Sequence, residues 1–260
     1  MKAIILCGGQ GTRLREHTEV RPKPMVEIGE RPILWHIMKL YAHYGITEFI
    51  LCLGYKGDVI RNYFLNYEAM NSDLTVTLGP TKTMTFHGGA HTESGWTVTL
   101  VNTGENAMTG ARLRKAARFL DGQTFALTYG DGVSDVDLGA ALRFHRGHGG
   151  AATLTGVGAP GRYGQIECEG DKVRSFAEKP AVGQSLINGG FFFFEPRFLE
   201  FLDSEESCVL ERAPLERCAA ANELHAYRHT GFWQSMDTYR DWLDLEQKWN
   251  SGRAPWKVWS

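Results

Sequence analysis

Apolar residues in the first half of the chain form short continuous runs separated by stretches of helical spacing. The continuous runs lie at 3–7, 49–53 and 125–129. Because these runs do not alternate with polar residues, they predict strands that are buried on both faces. Apolar positions three or four residues apart predict helices that begin near Pro32, Val59 and Leu138. This alternation of strands and helices predicts an α/β fold with a parallel sheet covered on both sides.

The pattern changes in the middle of the chain. Residues 73–78 and 97–101 alternate between apolar and polar, which predicts half-exposed antiparallel strands. The residues between them, 79–95, are rich in Thr, Gly and His. We expect this stretch to form a mobile loop.

The second half is at first rich in predicted strands, and helical patterns then return. The predicted strands lie at 151–156, 164–168, 173–176 and 190–194. The predicted helices cover 214–221 and 238–249. Since no internal repeat or low-complexity linker interrupts the chain, we expect a single domain over 1–260.

Charge and cysteine content exclude several classes of protein. The 28 basic and 30 acidic side chains give a net charge of −2, which argues against a nucleic-acid binder or a polybasic membrane binder. The first apolar run is shorter than the roughly 7–15 residues of a secretory signal, and none reaches the roughly 18 of a membrane span. The five cysteines are scattered and odd in number, so we expect free thiols in a reducing, cytoplasmic compartment.

Glycine is over-represented, with 30 residues in 260 against a usual share of roughly 7%. Residues 8–13 read GGQGTR and directly follow the first predicted strand. Such a loop directs backbone N–H groups at a phosphate, although a simple tight turn is the alternative. Leu14 stands where a dinucleotide-binding motif has its third glycine, and the Gly-Lys-Ser/Thr of a P-loop is missing.

Two further features after the loop suggest phosphate and metal chemistry. Lys23 lies between two prolines in RPKPM (21–25), which presents its side chain from a rigid segment, unless this is only a charged surface loop. Asp131 follows the third apolar run between two glycines, at a strand end where α/β proteins bind ligands. It could hold a hard cation such as Mg²⁺ or form an Asx turn.

Asp237 is the candidate for a second metal ligand, and a helix N-cap is the alternative role. Asp135 and Asp137 fit the start of a helix better than a metal site. His36, His43 and His145 fall on helical patterns and are interpreted as packed or hydrogen-bonded residues. His87 and His91 lack further ligands, so we expect no metal there. Four tryptophans in the last twenty residues predict an anchored tail or an oligomer contact: Trp242, Trp249, Trp256 and Trp259.

Several motifs, in order, resemble those of the sugar-nucleotide pyrophosphorylases, a family of nucleotidyltransferases. These motifs are GGQGTR (8–13), KPMVEIG (23–29), WHIMKLY (35–41), GYKGDVIRNYF (54–64), TGENAMTGARL (103–113), TYGDGVSDVDL (128–138), INGGFF (187–192) and GFWQSMDT (231–238). The resemblance covers nearly the whole chain. It implies a three-layer, Rossmann-like nucleotide-diphospho-sugar transferase fold, with a mostly parallel central sheet and a smaller β-rich sugar-binding part. Residues 1–135 would form the nucleotide-binding half, 136–240 the sugar-phosphate half and 241–260 a C-terminal helix and tail.

The resemblance also implies roles for individual residues. It implies nucleotide binding by Leu6, Cys7, Gly8, Gly9, Gln10, Gly11, Thr12, Arg13, Lys23, Arg112 and Gly130. It implies sugar-phosphate binding by Gly164, Glu178, Lys179, Asn188 and Gly189. It implies a magnesium site at Asp131 and Asp237, and catalysis by Arg13, Lys23, Asp131 and Lys179. The alternative for Arg112 is a solvated residue on a helix. The alternative for Glu178 and Lys179 is an exposed ion pair at a turn. The alternative for Asn188 is a turn that leads into a buried strand.

The implied reaction joins CTP and α-D-glucose 1-phosphate into CDP-glucose and pyrophosphate. Mg²⁺ is the implied cofactor, and a homo-oligomer, a hexamer, is the implied assembly. The product would serve bacterial surface polysaccharide, such as a lipopolysaccharide O-antigen. Three alternatives stay open: the same reaction with UTP or dTTP, a non-catalytic module that senses nucleotide sugars, and a nicotinamide-binding oxidoreductase, which Leu14 disfavours.

Overall fold

A computed structural model describes residues 1–9, 11, 13–14, 18–88, 92–158, 165–169, 172–177 and 186–260, with backbone only for 165–169 and 172–177. The strands are β1 (Lys2–Cys7), β2 (Glu27–Ile28), β3 (Arg31–Pro32), β4 (Glu48–Leu53), β5 (Asp73–Thr77), β6 (Thr83–His87), β7 (Thr97–Asn102), β8 (Phe125–Tyr129), β9 (Gly132–Ser134), β10 (Ala152–Gly158), β11 (Gln165–Glu169), β12 (Lys172–Ala177), β13 (Leu186–Phe194), β14 (Leu224–His229) and β15 (Trp233–Ser235). The α-helices are α1 (Ile33–His43), α2 (Gly57–Leu65), α3 (Tyr67–Asn71), α4 (Thr109–Ala116), α5 (Leu138–His148), α6 (Ala213–Ala220) and α7 (Tyr239–Asn250). Short 3₁₀ turns cover Lys23–Met25, Ala117–Phe119 and Pro196–Phe201.

A seven-stranded sheet with the order β14-β10-β13-β8-β1-β4-β7 forms the centre of the molecule. Strands β7, β4, β1 and β8 pair in parallel, and β10 pairs in parallel with β14. Only β13 runs in the opposite direction, between β8 and β10. The predicted mostly parallel sheet is therefore confirmed.

Helices cover both faces of this sheet, because side chains along its strands alternate between two cores. Along β1, Ala3 and Ile5 belong to one core, which also takes in apolar residues of α1, α5 and α7. Ile4 and Leu6 belong to the other core, with residues of α4 and α6. This arrangement is the predicted three-layer α/β fold.

Two predictions for the middle of the chain were wrong. The strand β7 pairs in parallel with β4 at the edge of the main sheet, not in an antiparallel pair. Val98 and Leu100 pack against one core and Val101 belongs to the other, so the alternation did not indicate the direction of the strand. The predicted loop at 79–95 contains β6, which forms an antiparallel hairpin with β5. The Thr-rich composition that suggested a loop is equally compatible with a strand.

The C-terminal tryptophans anchor the tail against the first helix. Trp256 is buried and donates its indole N–H to Nδ1 of His36, at 3.3 Å. Trp249 and Trp259 also pack around the His36 ring. Trp242 donates to the carbonyl of Glu27, at 2.9 Å. Of the two roles predicted for these tryptophans, tail anchoring is therefore confirmed.

The remaining general predictions concern cysteines and membranes. The four cysteines whose side chains are described are free and buried: Cys7, Cys52, Cys208 and Cys218. None of the described helices combines the length and apolar character that a bilayer crossing requires.

Candidate functional site

A cavity of about 720 Å³ opens where β1 and β8 end. These two strands are neighbours in the sheet, but the chain runs from β1 out to β7 before it returns to β8 on the other side. Such a reversal leaves a crevice beyond the carboxyl ends of the strands, where α/β proteins bind ligands. The cavity is lined by Leu6, Gly8, Gly9, Gly11, Arg13, Lys23, Pro24, Glu105, Asn106, Ala107, Met108, Thr109, Arg112, Thr128, Tyr129, Gly130, Asp131, Gly132, Asn188, Gly189, Phe191, Trp233, Ser235 and Asp237.

Lys23 lies between the two predicted metal ligands. Its ammonium is 2.7 Å from Oδ2 of Asp131 and 2.7 Å from Oδ1 of Asp237. Burial on its own disfavours the charged form of Lys23, but the two carboxylates outweigh it and raise the pKa of Lys23. Burial likewise opposes the charged form of Asp237, yet hydrogen bonds from Lys23 and Ser235 lower its pKa. Lys23 and Asp237 therefore stay ionised at neutral pH.

A short ladder between β9 and β15 brings the two aspartates together across a long stretch of sequence. Gly132 in β9 pairs with Ser235 in β15. The ladder continues with the N–H of Met236, which donates to the carbonyl of Asp131 at 2.8 Å. Each aspartate thus adjoins one strand of the ladder, and both line the cavity.

The helix-cap alternative for Asp237 was wrong. The N-cap of α7 is Thr238, whose hydroxyl accepts from the N–H of Asp241, and the Asp241 carboxylate accepts from the N–H of Thr238. This reciprocal capping box frees Asp237 to point at Lys23. Asp137, by contrast, caps α5 as predicted, whereas Asp135 accepts from the N–H of Phe232.

Arg112 is buried beneath the glycine loop, so the alternative of a solvated helix residue was wrong. Its guanidinium donates hydrogen bonds to residues at the carboxyl ends of three neighbouring strands. These acceptors are the carbonyl oxygens of Gly8, Leu53, Gly104 and Glu105 and the hydroxyl of Thr103. Arg112 therefore ties together the ends of β1, β4 and β7, besides lining the cavity.

The glycine loop is described in part. Leu6, Gly8, Gly9, Gly11 and Arg13 line the cavity, whereas the side chain of Cys7 is fully buried in the core. Gly11 has a φ of +61°, which favours glycine, and its carbonyl accepts from the N–H of Leu14 at 3.0 Å. Gln10 and Thr12, also predicted here, lie outside the described residues.

On the opposite wall, Asn188 and Gly189 line the cavity. The amide of Asn188 is oriented by two hydrogen bonds: Nδ2 donates to the hydroxyl of Tyr129, at 3.3 Å, and Oδ1 accepts from the N–H of Gly190. The Tyr129 hydroxyl in turn donates to Glu211, at 2.5 Å. The other residues predicted for this side, Gly164, Glu178 and Lys179, lie outside the described residues.

The prediction missed several residues that line the cavity. Residues 105–109 form part of its wall after β7, and Tyr129 and Trp233 face it from the other side. Trp233 donates its indole N–H to the carbonyl of Gly189, at 2.7 Å. The signal that could have found 105–109 is their position directly after a sheet strand, as for Gly8 and Asp131.

Metal-binding capacity is concentrated in the aspartate pair. Among the described residues, no group of three or more His, Cys, Asp or Glu side chains is arranged to hold a metal ion. His87 bonds to Thr75 in the β5–β6 hairpin, and His91 lies outside the described residues. His36 and His145 are buried and hydrogen-bonded as expected, whereas His43 is exposed.

Comparison with known proteins gives matches that cover all or nearly all of the chain. A family model described as nucleotidyl transferase matches residues 2–250. The glucose-1-phosphate cytidylyltransferase of Salmonella typhi is 49% identical over 260 residues, which is 100% of both chains. The probable glucose-1-phosphate cytidylyltransferase of Bacillus subtilis (strain 168) is 42% identical over 259 residues, again 100% of both. Among solved structures, UDP-glucose pyrophosphorylase from Acinetobacter baumanii matches with a TM-score of 0.69 at 19% identity, covering 95% of this chain and 92% of that one, which supports the fold.

Proposed function

Because the chain belongs to the nucleotidyl transferase family, we propose that it joins CTP and α-D-glucose 1-phosphate into CDP-glucose and pyrophosphate. The observation that carries this proposal is the 49% identity, over both full lengths, to a glucose-1-phosphate cytidylyltransferase. The cavity supports the same reaction class, because it combines two cationic side chains, Arg13 and Lys23, with a pair of carboxylates, Asp131 and Asp237.

In this reaction a phosphate oxygen of glucose 1-phosphate attacks the α-phosphorus of CTP. A new P–O bond forms, and the bond to the β-phosphate breaks with release of pyrophosphate. The attack needs no protein nucleophile, so the residues act by positioning the two phosphates and compensating their charge. Arg13 and the N–H groups of the glycine loop bind the triphosphate, and Lys23 offsets the repulsion between the reacting phosphates.

The aspartate pair fits Mg²⁺. One carboxylate oxygen of Asp131 and one of Asp237 each lie 2.7 Å from the same atom, the Lys23 nitrogen, so the pair converges on one point. Magnesium prefers such oxygen ligands and binds through one or two carboxylates together with substrate phosphates. Asp131 and Asp237 would hold it, and when bound it neutralises phosphate charge.

We divide the cavity between the two substrates. Residues 1–135 bind the nucleotide through the glycine loop, and the wall with Asn188 and Gly189, in the half spanning 136–240, binds the sugar phosphate. Glu178 and Lys179 are proposed for the sugar hydroxyls and the sugar phosphate on sequence grounds, since a carboxylate accepts from hydroxyls and an ammonium pairs with phosphate.

A pyrophosphate-release assay tests the proposal. Purified protein is given Mg²⁺ and glucose 1-phosphate with CTP, UTP or dTTP in parallel reactions. We expect the highest kcat/KM with CTP. Faster turnover with UTP or dTTP would replace the nucleotide assignment, and binding of CDP-glucose without any turnover would favour a sensing module.

We also propose that the protein forms a homo-oligomer through the β5–β6 hairpin. Cross-strand pairing places Leu74 opposite Phe86 and Val76 opposite Met84, so these four side chains share one face. Val76, Met84 and Phe86 are exposed, and an isolated two-stranded hairpin is only marginally stable in water. A second copy of the chain would bury this apolar face. Light scattering should give a multiple of 29.1 kDa, six-fold for a hexamer, and V76K/F86K should lower it.

A further inference from the structure

Lys23 makes contacts within the protein that binding of a substrate phosphate would not require. Its side chain is buried, and its ammonium bridges two carboxylates that belong to distant parts of the chain. Lys23 is therefore the counter-ion that holds this pair of like charges side by side. Prolines on both sides restrict the backbone that carries it, so the side chain alone can move the ammonium away.

A divalent cation and the ammonium cannot share these partners. The ammonium uses one oxygen of each carboxylate, at 2.7 Å, which are the converging oxygens of the pair. A cation bound through both carboxylates would lie within a few ångströms of the Lys23 nitrogen. A divalent cation and an ammonium this close repel each other strongly, because the site is partly buried and solvent screens the charges only in part. Binding of the cation to both aspartates therefore requires Lys23 to leave them.

We propose that Lys23 is an exchangeable counter-ion, which competes with the divalent cation for Asp131 and Asp237 and leaves them when nucleotide phosphate offers it another partner. The proposal deepens the proposed function and rests on it. It follows that nucleotide and cation bind cooperatively, because each binding event removes part of the cost of the other.

Binding of Mn²⁺ without nucleotide, followed by electron paramagnetic resonance, tests the competition directly. We expect K23M to bind Mn²⁺ at least ten-fold more tightly than the wild type, since its carboxylates lack the competing ammonium. K23R retains a positive charge, so its Mn²⁺ affinity should stay within about three-fold of the wild type. The control is K82M, which removes an exposed lysine on the hairpin and should leave the affinity unchanged.

Unchanged or weaker Mn²⁺ binding by K23M, in protein that thermal unfolding shows to be folded, would overturn the proposal. An equal gain in the Mn²⁺ affinity of K82M would also overturn it. If K23M does not fold, K23Q is measured in its place against the same expectation.

A second arm measures Mn²⁺ affinity with and without saturating CTP, with Mn²⁺ binding to free CTP subtracted. In the wild type we expect CTP to tighten Mn²⁺ binding more strongly than in K23M, whose carboxylates are already released. Equal tightening in both proteins would contradict the exchange. If the protein does not bind CTP at all, the proposed function fails, whereas the nucleotide-free arm still decides the competition between Lys23 and the cation.

Discussion

The guanidinium of Arg112 occupies the space that a side chain at Gly8 would need. A Cβ on Gly8 would lie 2.1 Å from Cζ of Arg112, and a Cβ on Gly54 would lie 2.5 Å from one of its terminal nitrogens. Both positions therefore need glycine to leave room for the Arg112 guanidinium beneath the loop. Gly8→Ala should therefore displace a buried guanidinium that donates several hydrogen bonds, and lower the free energy of unfolding by at least about 2 kcal/mol.

Urea unfolding measures this effect, and Gly9→Ala is the matched control. Among the described residues, no heavy atom lies within 4 Å of a Cβ built on Gly9 apart from its chain neighbours, so the stability of Gly9→Ala should differ from the wild type by less than about 0.5 kcal/mol. Equal stability of the two variants would show that Arg112 moves aside at little cost.

Asp237→Asn and Thr238→Ala separate the site from the helix cap. Asp237 bonds Lys23 and lines the cavity, so Asp237→Asn should lower kcat at least about 100-fold, a loss of about 3 kcal/mol of transition-state stabilisation. Thr238→Ala removes the cap and should cost about 1 kcal/mol of stability, with kcat nearly unchanged. Pyrophosphate release and thermal unfolding are measured on both variants. A stable, active Asp237→Asn would remove this residue from the site.

Tyr129→Phe tests the wall that carries Asn188. The substitution removes the hydroxyl that donates to Glu211 and accepts from the Asn188 amide. The amide then loses one of the two bonds that orient it, so we expect the KM for glucose 1-phosphate to rise about three- to ten-fold. The KM for CTP should stay the same, because the glycine loop is untouched. Steady-state kinetics with each substrate varied in turn decides this, and an equal rise in both KM values would contradict it.

Protonation of His36 should destabilise the fold below neutral pH. Its Nδ1 accepts from the indole N–H of Trp256, so its proton is on Nε2, which donates to the carbonyl of Ile28. Burial lowers the pKa of His36 to about 4 from 6.5. The unfolded chain therefore binds this proton first as the pH falls, and stability that is complete above pH 6.5 is lost towards pH 4. The expected loss between pH 7 and pH 5 is about 2 kcal/mol.

The measurement is urea unfolding at several pH values for the wild type, His36→Gln and His43→Gln. His148, whose pKa burial also lowers to about 4, adds to the dependence in all three proteins, so the difference between them is the informative quantity. His36→Gln should show the shallower slope of stability against pH. His43 is exposed on the same helix, so His43→Gln is the control for loss of a histidine from this helix.

The sequence predicted the sheet because the buried strands β1, β4 and β8 and the helix α1 have strong local patterns. It missed the direction of β7, since alternation reports one buried face and not the orientation of the neighbour. It also missed the hairpin strand β6, whose polar composition is shared by loops and exposed strands.

For the site, Asp131 was predicted from its position at a strand end, and Lys23 was predicted from the prolines on either side of it. The sequence did not reveal that Lys23 bridges Asp131 and Asp237, because that contact depends on the β9–β15 ladder between segments about a hundred residues apart. Nor did it reveal the carbonyl acceptors of Arg112, which are properties of assembled strand ends and not of any motif. Pairings of this kind are non-local and have no sequence period.

The packing of Trp249, Trp256 and Trp259 around His36 has a consequence for synthesis on the ribosome. The turn after Glu27 and the start of α1 contact residues 242–259. This part of the first half therefore stays without its packing partners until residues 242–259 have left the ribosome. β13 likewise must insert between β8 and β10, both of which are translated before it. The nascent chain therefore cannot complete the packing of its first half before these later segments have been translated.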